Sequence, residues 1–243
     1  MLYHILQRSD FAREGIARSG SYRFADHLYR NKASGRGGIG RWLDRRMLNM
    51  PSAQAMRRRY LKAKEEITRA LGSREGPLRM LAVPCGIPRD VSEVTAGIPN
   101  LAKRIHYTGM DLDPEVLSAA KRHLGIIPLA SLQLTEGNAL IATSYPRGRF
   151  DLIVSTGLGE FLDDEELGRF YWNVFDALEE GGLFFTSATA FERRSDFLMK
   201  AFEMEAHYRD REDIESILRS LPWKKIELEV DPSGLQTFVR AVK

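Results

Sequence analysis

The residues best suited to chemistry begin at a tight turn, Pro84-Cys85-Gly86-Ile87, which joins an apolar run at 78–83 to a helix expected from Pro88. A second apolar run, 105–110, ends at Asp111, roughly 20 residues after that helix begins. A turn that feeds a helix start presents unpaired backbone N–H groups and a positive dipole end. An acid at the tip of the neighbouring strand accepts hydrogen bonds from a ribose diol. Together they suit an adenosine-containing ligand. Cys85 sits where a thiolate is favoured, yet no His is placed to activate it, so it reads as a small residue beside the ligand.

Further along, Glu160 follows the run Phe150–Ser155, and His207-Tyr208-Arg209 falls between two expected helices. His207 is a candidate general base, and Arg209 a candidate anchor for a carboxylate or phosphate, with Tyr208 between them. Arg57-Arg58-Arg59-Tyr60 lies on a helix, where successive side chains point about 100° apart. At most one or two of the arginines can face a cleft; Arg59 and Tyr60 are the candidates, and Arg57 and Arg58 read as a solvated face. The five His are scattered without a ligand spacing, so no metal site is expected.

The elements that must position these residues alternate from Pro77 onward. Strands are expected at 78–83, 105–110, 131–135, 150–155 and 183–187. Between them, Asp113-Pro114-Glu115 opens a helix to about Leu124, and Asp163-Asp164-Glu165-Glu166 opens another that stops at Gly181-Gly182. Helices over roughly 191–206 and 210–221 precede a hairpin of 225–230 and 236–242 about Pro232-Ser233-Gly234. Strands joined by helical crossovers imply an α/β fold with a parallel sheet covered on both faces, to which the hairpin adds antiparallel pairing. Residues 1–72 carry helical periodicity only. The glycine-rich stretch 31–40 lacks the Lys-Ser or Lys-Thr of a phosphate loop and reads as a hinge or lid connection.

At 243 residues the chain can bury a sizeable core. Its one cysteine excludes an internal disulfide, no apolar run approaches a membrane span, and a cytoplasmic home is the default. The net charge of +3 hides an asymmetry: residues 1–75 carry 17 Lys and Arg against 7 acids. That clustering favours an anionic partner for the N-terminal part.

The order of these motifs resembles the class I S-adenosylmethionine-dependent methyltransferases over about 79–243. Residues 81–88 stand at the family's first motif, Thr108-Gly109-Met110-Asp111 at its ribose-binding acid, and Glu136-Gly137-Asn138-Ala139 at its adenine-contacting loop. Phe150–Ser155 matches its fourth motif, and Leu178-Glu179-Glu180-Gly181-Gly182-Leu183 the turn before strand five. The resemblance implies a Rossmann-like seven-stranded sheet in the order 3-2-1-4-5-7-6 with the last strand antiparallel. It implies S-adenosylmethionine as cofactor, S-adenosylhomocysteine as product, and contacts from Pro84, Cys85, Gly86, Arg89, Asp111, Leu112, Asn138, Ala139, Ser155, Thr156 and Gly157. Residues 1–75 become a helical lid or substrate segment on a cofactor-binding domain at 76–243, as in bacterial members with an N-terminal helical segment.

The first motif departs from the pattern: Ala82 replaces an acid, and Pro84 and Pro88 replace glycines, so the usual backbone cradle cannot be copied. Arg89 and Asp90 are the substitutes for holding the carboxylate and ammonium ends. Asn138 stands for the common Asp. The preferred activity is oxygen methylation of a small-molecule or lipid acceptor, with Glu160 and His207 as catalytic candidates and Arg59, Tyr60, Tyr208 and Arg209 toward the acceptor. The alternatives are RNA methylation through the basic N-terminal part and a non-catalytic binding protein on the same fold. A nicotinamide-dependent oxidoreductase is disfavoured because the first turn lacks Gly-x-Gly-x-x-Gly.

Overall fold

The structure is a computed structural model that describes residues 2–17, 21–96, 98–193, 196, 197, 200 and 205–243. Seven strands, β1 (Leu78–Ala82), β2 (Ile105–Asp111), β3 (Ser131–Glu136), β4 (Phe150–Ser155), β5 (Leu178–Thr189), β6 (Lys225–Val230) and β7 (Gln236–Val242), form one sheet. Their order is β3-β2-β1-β4-β5-β7-β6. The first five pair in parallel, and β7 runs antiparallel to both β5 and β6. This is the α/β sheet expected from the motif order.

Alternation along the strands divides the core in two. Leu81, Ile153, Phe184 and Val239 face α9 (Asp164–Ala177) and α10 (Arg211–Arg219), where Phe170, Tyr171 and Leu218 complete one layer. Met80, Leu152, Phe185 and Phe238 face the other way, onto α5 (Pro51–Gly72) and α8 (Pro114–Leu124). Coverage on both sides explains why β1, β2 and β4 read as near-continuous apolar runs.

Helix starts follow local chemistry. Asp113 caps α8 with Pro114 at its first position. Asp163 and Glu166 form a capping box on α9, and Asp210 and Asp213 another on α10. α9 stops at Ala177, four residues before the expected stop. Leu178 is fully buried and already pairs with Phe150, so Gly181-Gly182 serves an irregularity inside β5 rather than a helix end. The helix expected over 191–206 falls largely outside the described residues.

The N-terminal segment contains α1 (Leu2–Leu6), α2 (Asp10–Ala17), α3 (Tyr22–Arg30), α4 (Gly37–Leu48) and α5. α5 places Ala63, Ile67 and Leu71 in the sheet's own core. α2, α3 and α4 close a small core of their own around Phe11, Leu28, Leu48 and Ala53. The hinge expected at 31–40 does not hold. A Cβ at Gly35 would stand 2.8 Å from the Arg8 carbonyl oxygen and 2.5 Å from Gly40 C, and one at Gly40 would collide with the same Arg8 carbonyl. Two of the four glycines, Gly35 and Gly40, admit close backbone approach. Beneath them the buried Asp44 carboxylate accepts from Ser9 Oγ (2.6 Å) and from the amides of Phe11, Ser34 and Gly35 (3.3, 2.9 and 2.7 Å). A buried carboxylate with four donors is a knot that fixes the segment.

Candidate active site

A cavity of about 550 Å³ opens between the C-terminal ends of the parallel strands and the N-terminal helices. One wall is the sheet edge: Pro84 to Ile87 after β1, Asp90 in α6 (Arg89–Thr95), Asp111 at the end of β2, and Thr156, Gly157 and Leu158 after β4. The facing wall is helical, with Phe11, Phe24, Leu28, Met47, Met50 and Met56 exposing apolar surface and Tyr29 stacked on Tyr60 at 4.6 Å.

At the sheet edge the turn is held by its neighbour strand. Cys85 N donates to Met110 O at 2.9 Å, and Gly86 N donates to Asp111 Oδ2 at 3.2 Å. Gly86 adopts φ +49°, which glycine tolerates best. Asp111 Oδ1 accepts from Asp113 N at 3.2 Å, and its carboxylate keeps lone pairs for a ligand diol. Burial raises the Asp111 pKa. Burial also pushes Asp90 up to about 6, and Asp90 accepts from its own helix at Val91 N (2.8 Å). The Cys85 thiol is pushed up to about 12 by burial and by the Asp111 charge, so it stays protonated. Two carboxylates and a glycine turn on one wall therefore match the diol and ammonium ends of an adenosyl amino acid, and the residues fit S-adenosylmethionine.

Between the walls lies a buried ion pair. Arg59 and Glu160 are 4% and 8% exposed, too little for water to screen them. Arg59 Nη1 donates to Glu160 Oε1 at 2.6 Å. Thr189 Oγ1 donates to the same oxygen at 2.7 Å and accepts from Gln236 Nε2 at 2.7 Å. Glu160 Oε2 is buried without a hydrogen-bond partner among the described residues. Gly157 has φ +92°, and a Cβ there would meet Arg59 Nη2 at 2.9 Å, so the loop after β4 is shaped around this guanidinium.

The expected residues divide. Pro84, Cys85, Gly86, Asp111, Thr156, Gly157, Arg59, Tyr60, Glu160 and Tyr208 line the cavity. Arg89, Leu112, Asn138, Ala139 and Ser155 do not. Arg89 gives Nε and Nη2 to Asp26 Oδ1 (2.8 and 2.6 Å), and Leu112 is 63% exposed. Asn138 caps its own turn through Leu140 N (2.9 Å), while Ala139 and Ser155 are buried. His207 is exposed and lies off the cavity wall; its amide, not its ring, reaches Glu160 O, at 2.7 Å. Arg209 is a clamp rather than an anchor. Its guanidinium bonds Asp164 Oδ1 (2.7 and 2.9 Å), Gly159 O (2.8 Å) and Leu162 O (2.7 Å), which take four of its five N–H donors, and it is not on the cavity wall. Arg58 pairs with Asp231 at 2.5 Å, and Arg57 bonds Leu48 O at 2.7 Å.

Sequence reasoning missed Asp26, Thr189 and Gln236, which reach the site only through tertiary contact. The methionines Met47, Met50 and Met56 were legible as a helical apolar face, but periodicity does not separate a cavity wall from a core.

Among the described residues, no group of three or more His, Cys, Asp or Glu could hold a metal ion, and no helix is long and apolar enough to cross a membrane. A family model described as "Putative methyltransferase" matches residues 17–243. Two ribosomal protein L11 methyltransferases of Clostridium botulinum strains are each 34% identical over 89 residues, 35% of this chain. The chain spans about a quarter of the length of these curated relatives (25%). Among solved structures, a possible exported protein of Bordetella parapertussis superposes with a TM-score of 0.83 at 20% identity, covering 100% of this chain and 86% of that one. The CurJ carbon methyltransferase gives 0.64 at 15% identity, covering 98% and 65%. Magnesium protoporphyrin IX methyltransferase of Synechocystis, crystallised with S-adenosylhomocysteine, gives 0.57 at 13% identity, covering 90% and 93%. At these identities the superpositions speak for the fold, and the family match covers nearly the whole chain. The chain belongs to this methyltransferase family and has its Rossmann-like fold.

Proposed function

We propose that the enzyme methylates an oxygen of a small, largely apolar acceptor, a small molecule or a lipid, held between the sheet edge and the helical segment. The observation that carries this reading is the contrast between the cavity's walls: carboxylates and backbone on one, methionine and aromatic side chains on the other. In this reading Asp111 takes the ribose hydroxyls, Asp90 the ammonium, and the Pro84-Cys85-Gly86 and Thr156-Gly157 turns enclose the rest. S-adenosylmethionine supplies an electrophilic methyl group on a sulfonium.

The chain's own task is alignment and exclusion of water. Where the acceptor is a hydroxyl, Glu160 Oε2, buried with no partner among the described residues, accepts its hydrogen bond and takes the proton as the oxygen is methylated; Arg59 and Thr189 hold that carboxylate in place. Tyr60 and Tyr208 flank the acceptor. The helical segment acts as the lid, latched by Asp26–Arg89 (2.6 Å) and by Arg23–Glu115 (2.7 Å). His207 and Arg209 have no part in it. The buried free thiol suits a cytoplasmic site of action.

Calorimetric titration with S-adenosylmethionine and S-adenosylhomocysteine, followed by a panel of apolar alcohols, phenols and carboxylates, tests the reading. Micromolar cofactor binding with ether or ester formation on an apolar acceptor supports it. Turnover confined to amines or to RNA would overturn it. RNA is disfavoured because the arginines nearest the cavity are occupied: Arg59 by Glu160, Arg58 by Asp231 and Arg57 by a carbonyl.

A further inference from the structure

One face of α4 has no partner among the described residues. Taking roughly 100° per residue, Arg41, Arg45, Asn49, Trp42, Arg46 and Ile39 fall within an arc of about 160°, while Gly40, Asp44 and Leu48 turn inward. All six outward residues are exposed, Trp42 at 57% and Ile39 at 52%. The only acid of the helix, Asp44, is buried under it. Arg41, Arg45 and Arg46 make no ion pair among the described residues, and neither does exposed Arg36 just before the helix. This contrasts with Arg57, Arg58 and Arg59 in the next helix, each of which is engaged.

We infer that this face docks on an anionic lipid surface, with Trp42 and Ile39 entering the interface and the four arginines meeting headgroup phosphates. Unpaired cations flanking an indole and a branched aliphatic chain are the composition of an interfacial helix. Single-stranded nucleic acid would use a row of stacking rings; here there is one ring, and Ile39 has nothing to stack. The site's placement adds to the case. Met47 and Met50 line both the inner cavity and a shallow outer notch formed with Trp42, Arg45 and Arg46. The docked face is thus one helix thickness from the apolar wall, so an apolar acceptor dissolved in the lipid would reach the cavity by a short path. The docking itself does not depend on the acceptor's identity.

The test is co-sedimentation of the full chain with vesicles of phosphatidylcholine alone and with about 30 mol % phosphatidylglycerol, beside a uridylate oligonucleotide. Binding to the anionic vesicles is expected, at least roughly tenfold tighter than to the neutral ones and weakened by salt. The triple variant Arg41→Glu/Arg45→Glu/Arg46→Glu is expected to lose roughly a hundredfold or more in affinity. Brominated acyl chains are expected to quench tryptophan emission, and Trp42→Phe to lose most of that quenching. All four positions are exposed, and an unchanged unfolding midpoint verifies that the variants fold. Equal binding to both vesicle types, binding that survives the triple variant, no vesicle binding, or preference for the oligonucleotide would each overturn the inference.

Discussion

The two walls of the cavity are built by different means. The sheet-edge wall is backbone and short acids, fixed by strand register: Gly86 N reaches Asp111 because β1 and β2 pair Ala82 with Gly109. The helical wall is long, adaptable side chains on elements that hold one another through the Asp44 knot and a few latches. The first suits a ligand of fixed shape, and the second a class of ligands. Arg59 and Glu160 join them, one from each wall.

The largest effect is expected at that junction. Removing one partner of a buried ion pair leaves an uncompensated charge, so Arg59→Met should cost about 3–5 kcal/mol of stability. The double variant Arg59→Met/Glu160→Gln should recover much of that cost. Urea unfolding of both variants checks this; a single variant as stable as the parent would mean that the two walls are not coupled here. Next comes Asp44→Ala, which leaves three amides and a hydroxyl without an acceptor. About 2–4 kcal/mol should be lost, accompanied by faster proteolysis within residues 2–48 while the sheet stays protected. Uniform protection throughout would contradict the separation of the walls.

Asp111→Ala should weaken S-adenosylhomocysteine about tenfold to a hundredfold by calorimetry with little change in stability. Its pair on the other wall, Met50→Ala, should leave that affinity unchanged. The smallest effect follows pH. Asp90 is raised to about 6, so the folded state holds its proton where the unfolded chain has lost it, and stability falls as pH rises from about 4 to about 6. Because the group is half-buried, Asp90→Asn should stabilise by only about 1–2 kcal/mol above pH 6, with no gain near pH 4. Cofactor affinity in the parent should weaken below pH 6 as Asp90 protonates, and the Asn variant should lose that dependence.

How much of this was legible beforehand follows the same division. The apolar runs, the Asp113-Pro114 start and the closing hairpin are local signals, and they marked the strands and put Asp111 at a strand end, whereas the strand order came with the family resemblance. The Gly-rich stretch misled because flexibility and close approach use the same residue; only the Arg8 carbonyl above Gly35 and Gly40 tells them apart. Arg209 looked like an anchor because sequence records a charge but not the Asp164 carboxylate and two carbonyls that consume it. Glu160 was picked out by its place after β4, whereas helical geometry limited the cleft-facing arginines to one or two of three, with Arg59 the candidate, and both line the cavity.

Amide hydrogen exchange with and without S-adenosylhomocysteine addresses the two-wall account most directly. Ligand-dependent protection is expected at 84–95, 111–116 and 156–160, with little change at 24–30 and 47–56. Protection centred on the helical segments, with the sheet edge unaltered, would contradict it.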